Sequence, residues 1–264
     1  MTGGHWLVAS GNPGKLKELR AMLAPRGVRL SSQTELGIPD AEEPWPSFVE
    51  NALAKARHGA RLSGLPTLAD DSGLCVPALG GAPGVRSARF ALDAITDPAE
   101  REALQAGGRA RLDAENIRHL LVRCQDVSAP VRAYFYSVVV WVASADDPRP
   151  LIAEGLWWGT LLAQPRGEGG FGYDPIFQPD GHACSAAELS ADEKNAISHR
   201  GRAVRKLAAQ LASAAPLALR GVLDAVVLGG DGSVASNGFW AALTIATTQK
   251  LPMLFYIEDS GYGI

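Results

Sequence analysis

The sequence predicts an α/β fold on three observations. Short apolar runs such as HWLVA (residues 5–9) and YFYSVVVWVA (134–143) have the length and the β-branched and aromatic character of buried strands. Segments with leucine and alanine at helical spacing flank them. Clusters of Gly, Pro, Asp and Ser separate the two kinds of segment.

Residues 5–9 run as a strand into SGNPGK, and Leu16, Leu19 and Leu23 recur at helical spacing in KLKELRAML. The polar loop thus sits between a strand and a helix N-terminus, with Ser10 or Asn12 as the helix cap. A second helix is expected across SFVENALAKARHGARL, capped by Ser47, with Phe48, Ala52, Leu53 and Ala56 as its inner stripe. The strand PTLA and a DDSG turn follow, because Asp, Ser and Gly end strands. After glycine-rich LGGAPGVRSARF comes a helix from about Asp113 to Cys124. YFYSVVVWVA and LIAEGLWWG read as a hairpin joined by the turn residues SADDPRP. The loop EGGFGYDPIF leads to a last helix over roughly Ser198 to Ala212, with Val204, Leu207 and Leu211 on one face. Near SAAP the character changes, so residues 1–212 read as one domain and 213–264 as a separate segment.

Composition limits the function classes. The 264 residues are 47% hydrophobic and 20% charged, an ordinary soluble balance, and the chain is long enough to bury a full core. A net charge of −3 offers no basic field for wrapping nucleic acid. Cys75, Cys124 and Cys184 are widely spaced and unpaired by motif, which fits a reducing cytoplasm. The first residues lack a basic region followed by a long apolar run, and AYFYSVVVWVASA (133–145) is too short to span a membrane as a helix, so no membrane partner is expected.

Four motifs hold groups suited to chemistry. SGNPGK offers backbone amides, a helix N-terminus and Lys15 to a polyphosphate, although it lacks the spacing of a Walker A loop and serves equally well as a capping turn. Acids gather at Glu42 and Glu43, at Glu50, and at Asp70 and Asp71; magnesium needs one or two carboxylates and takes water and phosphate for the rest. Adjacent strand residues face opposite sides, so one aspartate can reach a metal while its neighbour braces the loop. In GGFGYDPIF, Phe171 or Tyr173 can stack on a purine or fill the core, and Asp174 can read a ring N–H or fix the loop. Lys194, His199 and Arg200 gather around a helix start at Ser198, in position for phosphate or a keto oxygen.

Taken in order, SGNPGK, EE with FVENALAKARH, LADDSGL, LGGAPGVRSARF, GGFGYDPIF and ELSADEKNAISHRG resemble the inosine triphosphate pyrophosphatase family, the non-canonical purine NTP pyrophosphatases, over roughly residues 5–212. The resemblance implies an elongated two-lobed mixed sheet flanked by helices, a central substrate cleft and a homodimer. It implies magnesium-dependent hydrolysis of ITP, dITP or XTP to the monophosphate and pyrophosphate. By motif, Asp71 would be general base and metal ligand, and Glu42 or Glu43 a further metal ligand. Ser10, Gly11, Asn12, Pro13, Gly14 and Lys15 would hold the triphosphate, with Lys15 also meeting the charge on the leaving group. Ser72, Phe171, Gly172, Tyr173, Asp174, Lys194, His199 and Arg200 would line the rest of the substrate site. Pro44 and Trp45 stand where the family commonly has Thr-Gly, and Trp158 is a bulky choice in GLWWGT.

From residue 216 the chain instead resembles part of the thiamine-diphosphate-binding stretch of a 2-oxo acid dehydrogenase E1 component. Asp231 of GDG fits, but Ser260 stands where an Asn is expected. A truncated α/β fragment without thiamine chemistry is expected there. A sensor that binds nucleotide without turnover is the non-enzymatic alternative.

Overall fold

The computed structural model describes residues 4–214. The chain begins with strand β1 (His5–Val8) and helix α1 (Pro13–Leu23). Asn12 caps α1, its side chain accepting from the amides of Gly14 and Lys15 with Pro13 at the first helical position, while the Ser10 hydroxyl accepts from the Asn12 amide. Strand β2 (Arg29–Ser32) precedes α2 (Phe48–Ser63), capped by Ser47 as its sequence requires. Ala52 and Ala56 are buried on α2, with Phe48 and Leu53 packed beside them against the sheet.

The next element corrects an expectation. DDSG makes no turn: strand β3 runs unbroken from Thr67 to Cys75 through both aspartates. Turn-forming residues stay extended because β3 is paired along its length with β4 (Arg132–Val142), and each aspartate finds cations on its own side of the sheet. Between them lie α3 (Phe90–Ala94), α4 (Pro98–Ala106) and α5 (Gly108–Arg123). The helix expected from Asp113 begins five residues earlier, since its first turn is polar and has no apolar stripe to announce it. β4 continues into β5 (Leu151–Leu161) as the expected antiparallel hairpin, and β6 (Phe177–Pro179) closes the sheet. Helix α6 (Ala191–Ile197), unforeseen in the sequence, opens on a Ser190/Glu193 capping box. Helix α7 (His199–Ala214) buries Val204, Leu207 and Leu211.

The result is one mixed sheet in the order β2-β1-β3-β4-β5-β6, with helices on its faces. Alternation along β4 separates two cores: Ala133 and Phe135 join Trp157, Phe177 and the α5 side chains, while Val138, Val140 and Val142 meet α2 on the opposite face. Among the described residues no helix is long and apolar enough to cross a membrane. Apart from the last backbone turn of α7, the segment from 213 onward and its thiamine-like motif lie outside the described residues.

Candidate active site

Sheet topology alone points to where a ligand belongs. β1 pairs in parallel with β2 on one side and β3 on the other, so the chain switches direction of travel across the sheet at the end of β1. Open α/β sheets bind ligands at such switch points, beyond the carboxyl ends of the strands. β1 pairs with β3 only through Thr67 and Leu68, so β3 runs on past the end of β1 from Ala69, and its edge is next met at Leu74 by Ser87 and at Cys75 by Pro83. A cavity of about 630 Å³ lies there, lined by residues from all four motif regions.

The two aspartates of β3 split between faces. Asp71 lines the cavity and pairs with Lys55 of α2 at 2.9 Å, while Lys55 also reaches Glu43 at 2.7 Å and the Asp70 carbonyl at 3.1 Å. The other Asp71 oxygen, Oδ2, is buried with no hydrogen-bond partner among the described residues. Burial raises the Asp71 carboxyl above its ordinary range, against the pull of Lys55. Asp70 turns the other way and is almost wholly buried. It receives the Ser137 hydroxyl at 2.5 Å, Lys15 Nζ at 2.9 Å and Arg200 at 3.2 Å. Burial alone would push the Asp70 carboxyl upward, but Arg200 and Lys15 outweigh it and hold it well below the carboxylate range. Ser72 donates to Asp70 and accepts from Arg200 at 2.8 Å.

Across the cavity the glycine-rich loop is pinned to α6. The Asp174 carboxylate accepts from the Phe171 amide at 2.8 Å and from Lys194 Nζ at 2.6 Å, so of its two expected roles it fills that of fixing the loop. Tyr173 is core: the residue is 3% exposed and its hydroxyl donates to the Ser87 carbonyl, leaving Phe171 as the available ring. Phe171 packs so closely on Gly14 that a Cβ there would lie 2.5 Å from its ring, which explains why that loop position has no side chain. Lys194 Nζ and the Arg200 guanidinium stand 4.8 and 5.7 Å from the ring centroid. His199 lies flat against Phe135, 4.8 Å between ring centres, with Trp157 beyond.

The structure therefore gathers Ser10–Lys15, Asp71, Ser72, Phe171–Asp174, Lys194, His199 and Arg200 around one cavity, except that Gly14 meets Phe171 rather than open space. Glu43 joins them through Lys55; Glu42 lines the rim and is exposed, and Glu50 caps its own helix through Ser47. Sequence reasoning missed Lys55, Glu18 and Ser137. Lys55 falls on the inner face of α2, in step with buried Asn51 and Gly59, and a lysine on such a stripe was the available signal. Glu18 receives Lys194 at 2.9 Å and also pairs with Arg200, and nothing in a solvated-looking KLKE announces that.

No three metal-ligating side chains converge among the described residues. Asp71 Oδ2 without a donor, with Glu43 sharing the same lysine, is nevertheless the donor set a hard divalent cation accepts when phosphate and water complete its shell.

The buried histidine gives a pH prediction. Burial, then the nearby Arg200 charge, holds the His199 pKa well below the ordinary value of 6.5. Below about pH 6.5 the unfolded chain therefore binds the extra proton and the folded chain does not, so stability falls as the pH drops through that window. His199→Gln should flatten this decline, read from denaturation midpoints at about pH 7.5 and 5.5. An equally steep decline in the variant would assign it to other groups.

Residues 6–210 match the Ham1 family. The chain is 54% identical over 211 residues to a protein of Aromatoleum aromaticum named dITP/XTP pyrophosphatase, covering 80% of this chain and 98% of that one. It is 53% identical over 205 residues to a protein of the same name from Ralstonia nicotianae, covering 78% and 95%. The solved HAM1 protein of Coxiella burnetii superposes with a TM-score of 0.68 at 42% identity, over 81% of this chain and 100% of that one.

Proposed function

The chain belongs to the Ham1 family, and on that footing we propose that it is a pyrophosphatase that hydrolyses dITP, ITP and XTP to the monophosphate and pyrophosphate. The observation that carries this reading is the placement of Asp71, a buried carboxylate with one unpartnered oxygen, in a single cavity with the Ser10–Lys15 loop and the Phe171–Asp174 loop.

The parts divide the work. The loop ahead of α1 and Lys15 take the phosphates at a helix N-terminus. Asp71 accepts the proton of the water that attacks the α-phosphorus, and its raised affinity for that proton suits a base. The bond from the α-phosphorus to the bridging oxygen breaks, and pyrophosphate leaves with its new charge facing Lys15. Magnesium, when bound by Asp71 with Glu43 and the substrate phosphates, supplies Lewis-acid stabilisation of that charge. Donors among Lys194, His199 and Arg200 meet a purine 6-keto oxygen; an adenine amino group would leave them unpaired. Phe171 offers its ring to the base.

We further assign the finer properties as follows. The metal is Mg²⁺, the site of action the cytoplasmic nucleotide pool, and the assembly a homodimer without nucleic-acid or membrane partners. A half-exposed sheet face of Tyr134, Tyr136, Leu156 and Trp158 supports the dimer, with Trp158 40% exposed beside Arg132. The test of function is magnesium-dependent pyrophosphate release from dITP, XTP, GTP and ATP. Release from the first two with little from the others is expected; no release from dITP or XTP overturns the reading.

Residues 1–212 form the catalytic domain in this proposal, since the family match ends at residue 210. Truncation after Ala212 is expected to leave the rate of dITP hydrolysis within about twofold while improving solubility, because the removed segment includes the β-prone apolar run LPMLFYI. A large loss of turnover in the soluble truncated protein would show that the segment contributes to the enzyme.

A further inference from the structure

One carboxylate at the cavity has no place in the mechanism above. Asp113 lies in the second turn of α5, lines the cavity and is 14% exposed at its side chain. Its Oδ2 accepts from the amide of Gly172 at 3.0 Å, across 59 residues of sequence, and its Oδ1 accepts from Arg109 Nε at 2.9 Å. The preceding amide, that of Phe171, donates to Asp174. Two consecutive peptide N–H groups on either side of the Phe171 side chain therefore end on two carboxylates from different helical regions.

That arrangement has a consequence for the ring. Gly172 has φ +61°, a backbone state that glycine enters freely and leaves as freely, and the stretch from Gly167 to Gly172 holds four glycines. Among the described residues no strand ladder or helix fixes the loop at Phe171. Its conformation rests on the bonds its amides make, and Phe171 is the ring left for a purine. A charge-assisted hydrogen bond to one of those amides is strong enough to select a single loop conformation.

Resting on the reading of the cavity as a purine nucleotide site, we propose that Asp113 is a positioning residue for base recognition: through the Gly172 amide it sets where the Phe171 ring stands relative to the phosphate loop. Arg109, on the other oxygen, keeps the carboxylate turned toward the loop. Asp113 touches no phosphate in this scheme and takes no part in proton transfer.

The test compares full-length wild type with Asp113→Ala and Asp113→Asn. Alanine removes the acceptor, whereas asparagine keeps a carbonyl oxygen that can take the Gly172 N–H. For Asp113→Ala we expect KM for dITP to rise about tenfold or more with kcat changed less than about threefold, and affinity for dIMP, measured by calorimetry, to fall by a similar factor. The preference for dITP over dGTP should contract as the loop loses its single setting. Asp113→Asn should recover most of each loss. Unchanged KM and dIMP affinity in Asp113→Ala overturns the inference. So does a parallel fall of kcat with a melting temperature lowered by several degrees, or asparagine behaving as alanine does. If wild type binds dIMP but releases no pyrophosphate from dITP, the proposed activity fails and the dIMP affinities alone decide the role of Asp113. Failure of wild type to bind dIMP overturns both.

Discussion

Asp71→Asn is expected to cut turnover of dITP by a factor of about 10²–10⁴, the range a lost general base costs, while leaving nucleotide binding largely in place. The amide is nearly isosteric and can still accept from Lys55, which Asp71 meets at 2.9 Å, so the cavity wall keeps its shape. What disappears is the ability to take a proton and one negative charge beside the incoming phosphates. Losing that charge does not weaken attraction for an anion, so affinity for dIMP measured without magnesium should hold or rise. Single-turnover kinetics with calorimetry on the same protein separates the two quantities. Turnover within about threefold of wild type would remove Asp71 from the role of base.

The neighbouring substitution should do the opposite. Asp70→Asn is expected to destabilise the fold by about 3–5 kcal/mol, the cost of stripping one member from a buried ion pair. Asp70 is 1% exposed and its partner Arg200 is equally buried, so the guanidinium left behind is a buried charge with one carboxylate fewer. Glu18 can hold Arg200 only in part, being shared with Lys194. In a domain of this size the loss corresponds to a melting temperature lower by about 10 °C. Asp71→Asn should move the melting temperature far less. Equal melting temperatures for the two variants would contradict the division of labour between adjacent aspartates.

That division shows what the sequence disclosed. The passage from β1 through the phosphate loop into α1 was legible because every signal for it is local: an apolar run, a capping Asn12, Pro13 at the first turn, leucines at helical spacing. The β4–β5 hairpin was legible for the same reason. DDSG was misread as a turn because residue type describes what a segment prefers alone, whereas Lys15, Arg200 and Ser137 come from three other elements to hold it extended. Glu18 and Asp113 escaped notice on the same principle. Each acts through a partner far along the chain, and in its own neighbourhood looks like one more surface charge. α6 had a readable start in its capping box but was too short for periodicity to reveal it.

Because successive side chains of β3 serve opposite faces, the stretch from Thr67 to Asp71 has its meaning in its count as well as in its composition. Dropping or adding one residue ahead of Asp70 would turn every later side chain over, sending the structural carboxylate toward Lys55 and the reactive one toward Arg200. Single exchanges alter one role at a time; a change of length alters all of them together. Over generations the positions ahead of the two aspartates can therefore exchange one apolar residue for another, while insertion and deletion, the ordinary means by which loops diverge, are closed to the segment.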